Sequence, residues 1–278
     1  MPVKIVTDSS ADLPEELVKE LGVTVVPLYV RFGEEVYRDR VTITEDEFYE
    51  RLIHDTVHPT TVQPGPQDFL EVYQKVSSGA DGIVSIHISS KLSGTCNSAL
   101  MGKDMMGGEC PIEVIDTLAV TMGLGLIVIA AAEMAKAGES MDKIVAEVKK
   151  AIPKIHLLAL FDTLKYLLLG GRIGKAKALL GSILNVKPIL TLKDGEVVPA
   201  IQARSRAKGM DKLFEFVKDA ADIQDLAVVY STTPDEAQAL AERLGSVYGQ
   251  KKIRIARMGP VLGVHMGPGM MIVVFRGN

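Results

Sequence analysis

Short apolar runs alternate with amphipathic stretches through the first half of this chain. Lys4–Thr7, Val23–Phe32, Gly82–Ile88 and Ile112–Ile115 read as strands. Between them the pattern predicts helices. One is capped by Asp12, with Pro14 in its first turn, and ends at Leu21 before Gly22. Another starts at Thr44, where Glu47 completes a capping box, and runs to about Ile53. Others cover Gln67–Val76, the stretch through about Met105, and the amphipathic Ser140–Ile152. Leu118–Ala132 carries no charge, is too short to span a bilayer and contains Gly123 and Gly125, so it reads as a buried helix. This alternation predicts a largely parallel sheet, whose ligands gather at the carboxyl ends of the strands. Asp8, Ser93 and Asp116 each follow a strand and are expected on one rim. His58–Pro66 holds three prolines in nine residues and is predicted as a rigid loop.

Pro153 and Lys154 mark a boundary between domains 1–153 and 154–278. Beyond it come a strand, Ile155–Phe161, a short helix, Leu164–Leu169, the turn Gly170–Lys175 and a helix to about Leu184. Val186–Leu192 and Glu196–Ala203 flank Lys193-Asp194-Gly195, a hairpin signal. Helices Arg206–Ala221 and Pro234–Tyr248 alternate with strands Leu226–Tyr230 and Ile253–Met258. Gly259–Gly269 reads as a loop before the closing strand Met271–Phe275. The fold class expected is α/β in two domains: an N-terminal parallel-sheet α/β domain and a C-terminal α+β sandwich domain. Helices layer on one face of the second sheet, and a ligand cleft lies between the domains.

Composition narrows the chemistry. A 278-residue chain with 47% hydrophobic and 24% charged residues is globular in type, and a net charge of −4 offers nucleic acid no electrostatic footprint. Cys96 and Cys110 have neither metal nor redox-pair spacing and, with no signal peptide, fit a reducing cytoplasm. The absence of Trp argues against base stacking, while twelve Met suit either an adaptable apolar cavity or plain core filling.

Ser89–Ala99 stands out. A strand turning through small hydroxyl residues and Gly94 into a helix gathers unpaired N–H groups at a positive dipole end. Ser93 and Thr95 add hydroxyls, Lys91 adds charge, and no acid lies between Ile88 and Lys103. Two readings fit: a seat for a small carboxylate or phosphate, or an ordinary Ser/Thr-capped turn. Gly170–Lys175 fails as a phosphate-binding loop, since Leu169 and Ala176 replace its outer Gly and Ser/Thr. His54–His58 fails as a zinc helix because Pro59 follows at once. No nucleophile elbow occurs. Arg172, Arg204, Arg206 and His265 sit in or beside Gly-bounded turns. Singly they read as solvated charges and a structural histidine; together with the anion turn they fit a cleft holding a negative group.

Several blocks resemble the DegV family, in order and across essentially the whole chain. They are Thr7-Asp8-Ser9, Thr61 with Gln63-Pro64, Ser89–Ala99, Asp116-Thr117, Gly170-Gly171-Arg172-Ile173, Val186–Leu190 with Asp194-Gly195, Arg204, and His265 with Gly267-Pro268-Gly269. Val62 and Gly65 stand where the family often has Ser, and Met271 where it has a further Gly; these differences touch the rim and the cavity's shape. The resemblance implies a two-domain carrier that binds one long-chain fatty acid between its domains. It further implies that the carrier presents the carboxylate to a separate ATP-binding kinase subunit. The acyl phosphate then passes to phospholipid synthesis, with transient contact to an acyltransferase or membrane surface. Thr61, Ser93 and Gly94 would hold the carboxylate, and Arg172, Arg204 and His265 would lie near the head group or dock the kinase. No cofactor, metal or catalytic residue of its own is implied. The competing reading is a stand-alone phosphotransferase for a sugar or dihydroxyacetone-like molecule, or a hydrolase, with Ser93 or His265 acting chemically.

Overall fold

The structure, a computed structural model, describes residues 2–108, 110–180, 186–249 and 253–277. Up to residue 151 it forms β1 (Val3–Asp8), α1 (Glu15–Leu21), β2 (Thr24–Val26), β3 (Tyr29–Phe32), β4 (Glu35–Arg38), α2 (Glu45–His54), β5 (Thr60–Val62), α3 (Pro66–Ser77), β6 (Gly82–His87), α4 (Thr95–Met105), β7 (Ile112–Asp116), α5 (Met122–Lys136) and α6 (Met141–Ala151). There follow β8 (Ile155–Leu160), α7 (Lys165–Leu169), β9 (Lys187–Lys193), β10 (Glu196–Ala203), α8 (Arg206–Lys218), β11 (Asp225–Tyr230), α9 (Pro234–Tyr248), β12 (Ile253–Arg257), α10 (Pro260–Met266) and β13 (Met271–Arg276).

Three sheets result. Four parallel strands run in the order β2-β1-β6-β7, and a small antiparallel sheet runs β4-β3-β5. The third, β10-β9-β8-β13-β11-β12, is antiparallel except for β11 beside β12. Helices α8 and α9 cover one face of it with a core of their own that includes Leu213, Val217, Leu240 and Leu244. Its other face takes α5, which also packs on β1, so one apolar cluster runs from Val3 to Val274 through both halves.

That double contact explains the uncharged run. Met122 through Ile129 are all buried, as a helix apolar on every side must be. Its glycines allow close approach on both flanks: a Cβ on Gly123 would sit 3.2 Å from Ile155, and one on Gly125 2.7 Å from the Ala11 carbonyl. Among the described residues no helix is long and apolar enough to cross a membrane. The Asp194-Gly195 turn forms as expected, both residues having positive φ (53° and 79°), as a two-residue hairpin turn requires.

Several expectations need correction. Asp12 does not cap α1: Pro14 holds that position without a side-chain cap, and Asp12, at φ 51°, turns inward to become buried. Val23–Phe32 is two strands in two sheets, broken around Pro27, which has no N–H for a ladder. Within His58–Pro66, Thr60–Val62 still pairs with Tyr29–Arg31, because the prolines flank the three residues and β5 is an edge strand. Gly259–Gly269 contains α10, started by Pro260 at its first position and ended by Gly267 at φ 75°. After Gly170 the chain forms a 3-10 helix, Gly174–Leu179; the rest of the helix expected to Leu184 falls on 181–185, outside the described residues.

Candidate functional site

An apolar cavity of about 240 Å³ lies where β5, the turn after β6, the start of α5 and α10 meet α7 and β10. Leu28, Ile88, Leu92 and Val120 wall it from the first half; Leu167, Val197, Val261, Leu262 and Met266 wall it from the second. Its polar groups are Thr61, Gln63, Ser93, Arg172 and His265. A neighbouring cavity of about 370 Å³, between Ile152–Leu157 and the β9–β10 hairpin, shares Val120 as a common wall.

Thr61 reaches the cavity from β5, and its hydroxyl lies 3.0 Å from Nε2 of His265 on α10. Burial, with Arg172 and then His58 nearby, pushes the His265 pKa down to about 3, so the imidazole is neutral. Its Nδ1 is buried without a partner, against Gly170, where an added Cβ would overlap the ring. The Ser93 hydroxyl is 2.8 Å from that of Thr95 and accepts from the Thr95 amide at 3.3 Å. Arg172, exposed at the mouth, is oriented by the carbonyls of Gly170 (2.9 Å) and Leu92 (3.3 Å).

The anion turn is less open than expected. Ser89's carbonyl takes the amides of Leu92 and Ser93, its hydroxyl takes that of Lys91, and Asp116 takes those of Ser90 and Leu118. What the turn offers is mainly hydroxyls, plus the uncapped start of α4 at Gly94. Asp8, expected on the rim, is fully buried: it accepts from His87 (2.9 Å), the Ile88 amide (3.1 Å) and Ser10. Asp8 and Asp116 thus bracket the strand-to-turn junction and hold it; they do not face the cavity. The Ser89 hydroxyl also donates to the Gly195 carbonyl at 2.9 Å, tying this turn to the hairpin of the other half.

The structure therefore brings Thr61, Ser93, Arg172 and His265 to one cavity. Gly94 is beside it, packed so closely on the Gln63 side chain that a Cβ would overlap. Arg204 is exposed just past the end of β10 and is not among the lining residues. Gln63, named in the sequence only as part of a DegV block and given no role there, lines the cavity and donates to Ser98 at 3.2 Å. Gln63 follows directly on the strand Thr60–Val62 that carries Thr61 and Val62 to the cavity, a placement that a loop reading hides.

The sequence model of the DegV family, described as "Uncharacterised protein, DegV family", matches residues 2–277. The chain belongs to the DegV family. A DegV domain-containing protein of Streptomyces coelicolor is 39% identical over 276 residues, 98% of this chain and 97% of that one. A DegV family protein from Thermus thermophilus, whose structure is described as one of fatty acid binding, has 36% identity and a TM-score of 0.92, with 100% of both chains covered. DegV of Bacillus subtilis, described as a fatty acid binding protein, has 29% identity and a TM-score of 0.90 over 100% of both chains. A stearic acid-binding protein from Eubacterium ventriosum has 29% identity and a TM-score of 0.89, covering 99% of this chain and 98% of that one. The α/β fold described above, with its parallel sheet and its separate mixed sheet, is thus shared with these solved structures.

Proposed function

We propose that this protein binds a long-chain fatty acid in the cavity between its halves, 1–153 and 154–278, which we take as its two domains. It presents the carboxylate to a separate ATP-dependent kinase subunit and then carries the acyl phosphate towards phospholipid synthesis. The observation that carries the reading is an apolar cavity with two hydroxyls and a neutral imidazole gathered at its polar side. It lies in a fold shared with fatty-acid-binding relatives.

A sixteen-carbon tail buried at ~0.8 kcal/mol per methylene supplies on the order of 10 kcal/mol before ordering costs, so the head needs no strong clamp. With its proton on Nε2, His265 donates to Thr61, leaving the Thr61 O–H to donate to a carboxylate oxygen. Thr95 donating to Ser93 frees the Ser93 O–H in the same way. Hydroxyl donors leave the carboxylate more nucleophilic towards a phosphoryl group than a bidentate guanidinium clamp does. Arg172 suits the extra charge of the acyl phosphate, and exposed Arg204 suits docking of the kinase. Val62 and Arg172 at the cavity are exposed, and the segment 165–180 that carries Arg172 also exposes Leu168, Leu169 and Leu180 with Lys165 and Lys177, which supports brief contact with an anionic membrane surface or its acyltransferase.

Ser93→Ala and Thr61→Ala are each expected to cut fatty-acid-dependent phosphate transfer by the kinase roughly tenfold or more, the loss of one head-group donor. Unchanged turnover in both variants contradicts the head-group assignment. Arg204→Ala is expected to keep fatty-acid affinity within about twofold while slowing the kinase step. Loss of binding with the kinase step intact would remove Arg204 from the docking role. Incubating the protein alone with ATP and sugar or dihydroxyacetone acceptors should give no turnover, which separates a carrier from a phosphotransferase.

A further inference from the structure

A separate cavity of about 500 Å³ is lined by Asp12, Asp39, Arg40 and Glu45; it shares no lining residue with the acyl cavity, but Asp39 is hydrogen-bonded to the backbone of Leu28 and Val261 in that cavity's wall. This buried ion cluster takes no part in the carboxylate seat. Arg40 donates to the carbonyls of Leu13 (3.1 Å) and Arg257 (2.6 Å), and pairs with Asp12 (3.3 Å) and Glu45 (3.0 Å). Asp12 accepts from the Gly259 amide at 2.8 Å and the Thr121 hydroxyl at 2.6 Å. Asp39 accepts from the Val261 amide at 3.5 Å and from Ser9, while its own amide donates to the Leu28 carbonyl at 2.9 Å.

Two features set the cluster apart from ordinary surface ion pairs. First, α10 has no side-chain cap of its own, and its opening amides at Gly259 and Val261 are taken by carboxylates more than two hundred residues earlier in the chain. Second, backbone strain converges here: Asp12, Arg40 and Thr121 all have positive φ (51°, 58° and 52°), and for β-branched Thr121 this is a genuine outlier. The cluster's partners are also the cavity's neighbours. Val261 and Leu28 line the acyl cavity themselves, and Val120 precedes Thr121.

We propose that Arg40, Asp12 and Asp39 form a clasp that positions α10 and the adjoining cavity wall. Closed, it holds His265 against Thr61 and the acyl chain in place; open, it frees α10 and lets the chain leave. The acyl-chain part rests on the function proposed above. The positioning of α10 does not. Burial raises Asp12 to about 6 and Asp39 to about 7, against the opposing pull of Arg40. The charged and titratable groups around them are Asp8, Glu15, Arg40, Glu45 and Tyr49 from the first half, and Arg257 from β12. A closed clasp therefore keeps protons that an open, hydrated one gives up. Its contribution to closure is complete below the ordinary carboxylate range, near pH 4, and fades as pH rises to about 7.

The test is amide hydrogen exchange on the whole protein, comparing α10 with β13 as an internal reference, corrected for intrinsic exchange. Arg40→Met should lower protection across Gly263–Gly267 at least tenfold while β13 stays within twofold. In the unmodified protein, opening of α10 should rise between pH 5 and 7 and then level. Asp39→Asn, which keeps the volume and answers even if Arg40→Met does not fold, should show at most half that logarithmic rise. Release of hexadecanoate should follow the same trends. Unchanged α10 protection in Arg40→Met, loss shared equally with β13, or a pH profile unmoved by Asp39→Asn overturns the clasp. If the unmodified protein takes up no fatty acid, the functional reading fails while the exchange measurement still decides the clasp.

Discussion

Val120→Trp should lower affinity for hexadecanoate by more than about a thousandfold while the protein stays folded. The cavity beside Thr61 and Ser93 holds only about 240 Å³, below the roughly 300–1,000 Å³ usual for ligand pockets. A long tail must continue beyond it, and we place that continuation in the cavity of about 370 Å³ that shares Val120, since the one of about 500 Å³ shares no lining residue with the head-group cavity. Val120 is the wall between them, and an indole there denies the tail the second space. Roughly six methylenes left unburied, at ~0.8 kcal/mol each, amount to about 5 kcal/mol, or over three powers of ten in affinity. Overpacking costs about 1–3 kcal/mol, so the melting temperature should fall modestly. Titration with a fluorescent fatty acid beside a thermal melt checks both. Near-normal affinity would show that the tail does not pass Val120.

Gly170→Ala should have a different signature: fatty-acid affinity within about tenfold of normal, but acyl phosphate formation down roughly a hundredfold. Gly170 has ordinary helical backbone angles (φ −77°), so alanine adds no backbone strain there. Its Cβ, however, would overlap the buried His265 imidazole, which must swing away and abandon Thr61. The tail still binds, since burial of methylenes supplies most of the affinity, but the carboxylate loses its oriented donor. Gly171→Asn is the control: Gly171 has φ 69° and open space around it, and asparagine tolerates that conformation. Normal kinase turnover in Gly170→Ala would show that the Thr61–His265 pair does not orient the head group.

The polar lining of the cavity was partly legible in the residues. Ser93, Arg172 and His265 were marked by small hydroxyl or Gly-rich turns, Thr61 entered only through the DegV resemblance, and all four line one cavity. Helix caps and the Asp-Gly hairpin were legible because their signals are local: Thr44 with Glu47, and Asp194-Gly195, form as expected. Failures arose where distant contacts decide. Asp12 looks like a helix cap, but Gly259, Thr121 and Arg40 claim its carboxylate. Prolines hid β5 and glycines hid α10, so Gln63 was given no role and the apolar face of α10 went unseen. The apolar lining was never legible, because Leu28, Val120 and Leu262 are indistinguishable in sequence from any core residue. Even the uncharged run at 118–132 signals burial without saying that two sheets share it.

The most direct test is a crystal structure of the protein grown with hexadecanoic acid. The account predicts the carboxylate within roughly 2.6–3.2 Å of the Thr61 and Ser93 hydroxyls, with the tail running inward past Val120 between the two halves. An acid bound elsewhere, or a cavity still empty at saturating ligand, would contradict it.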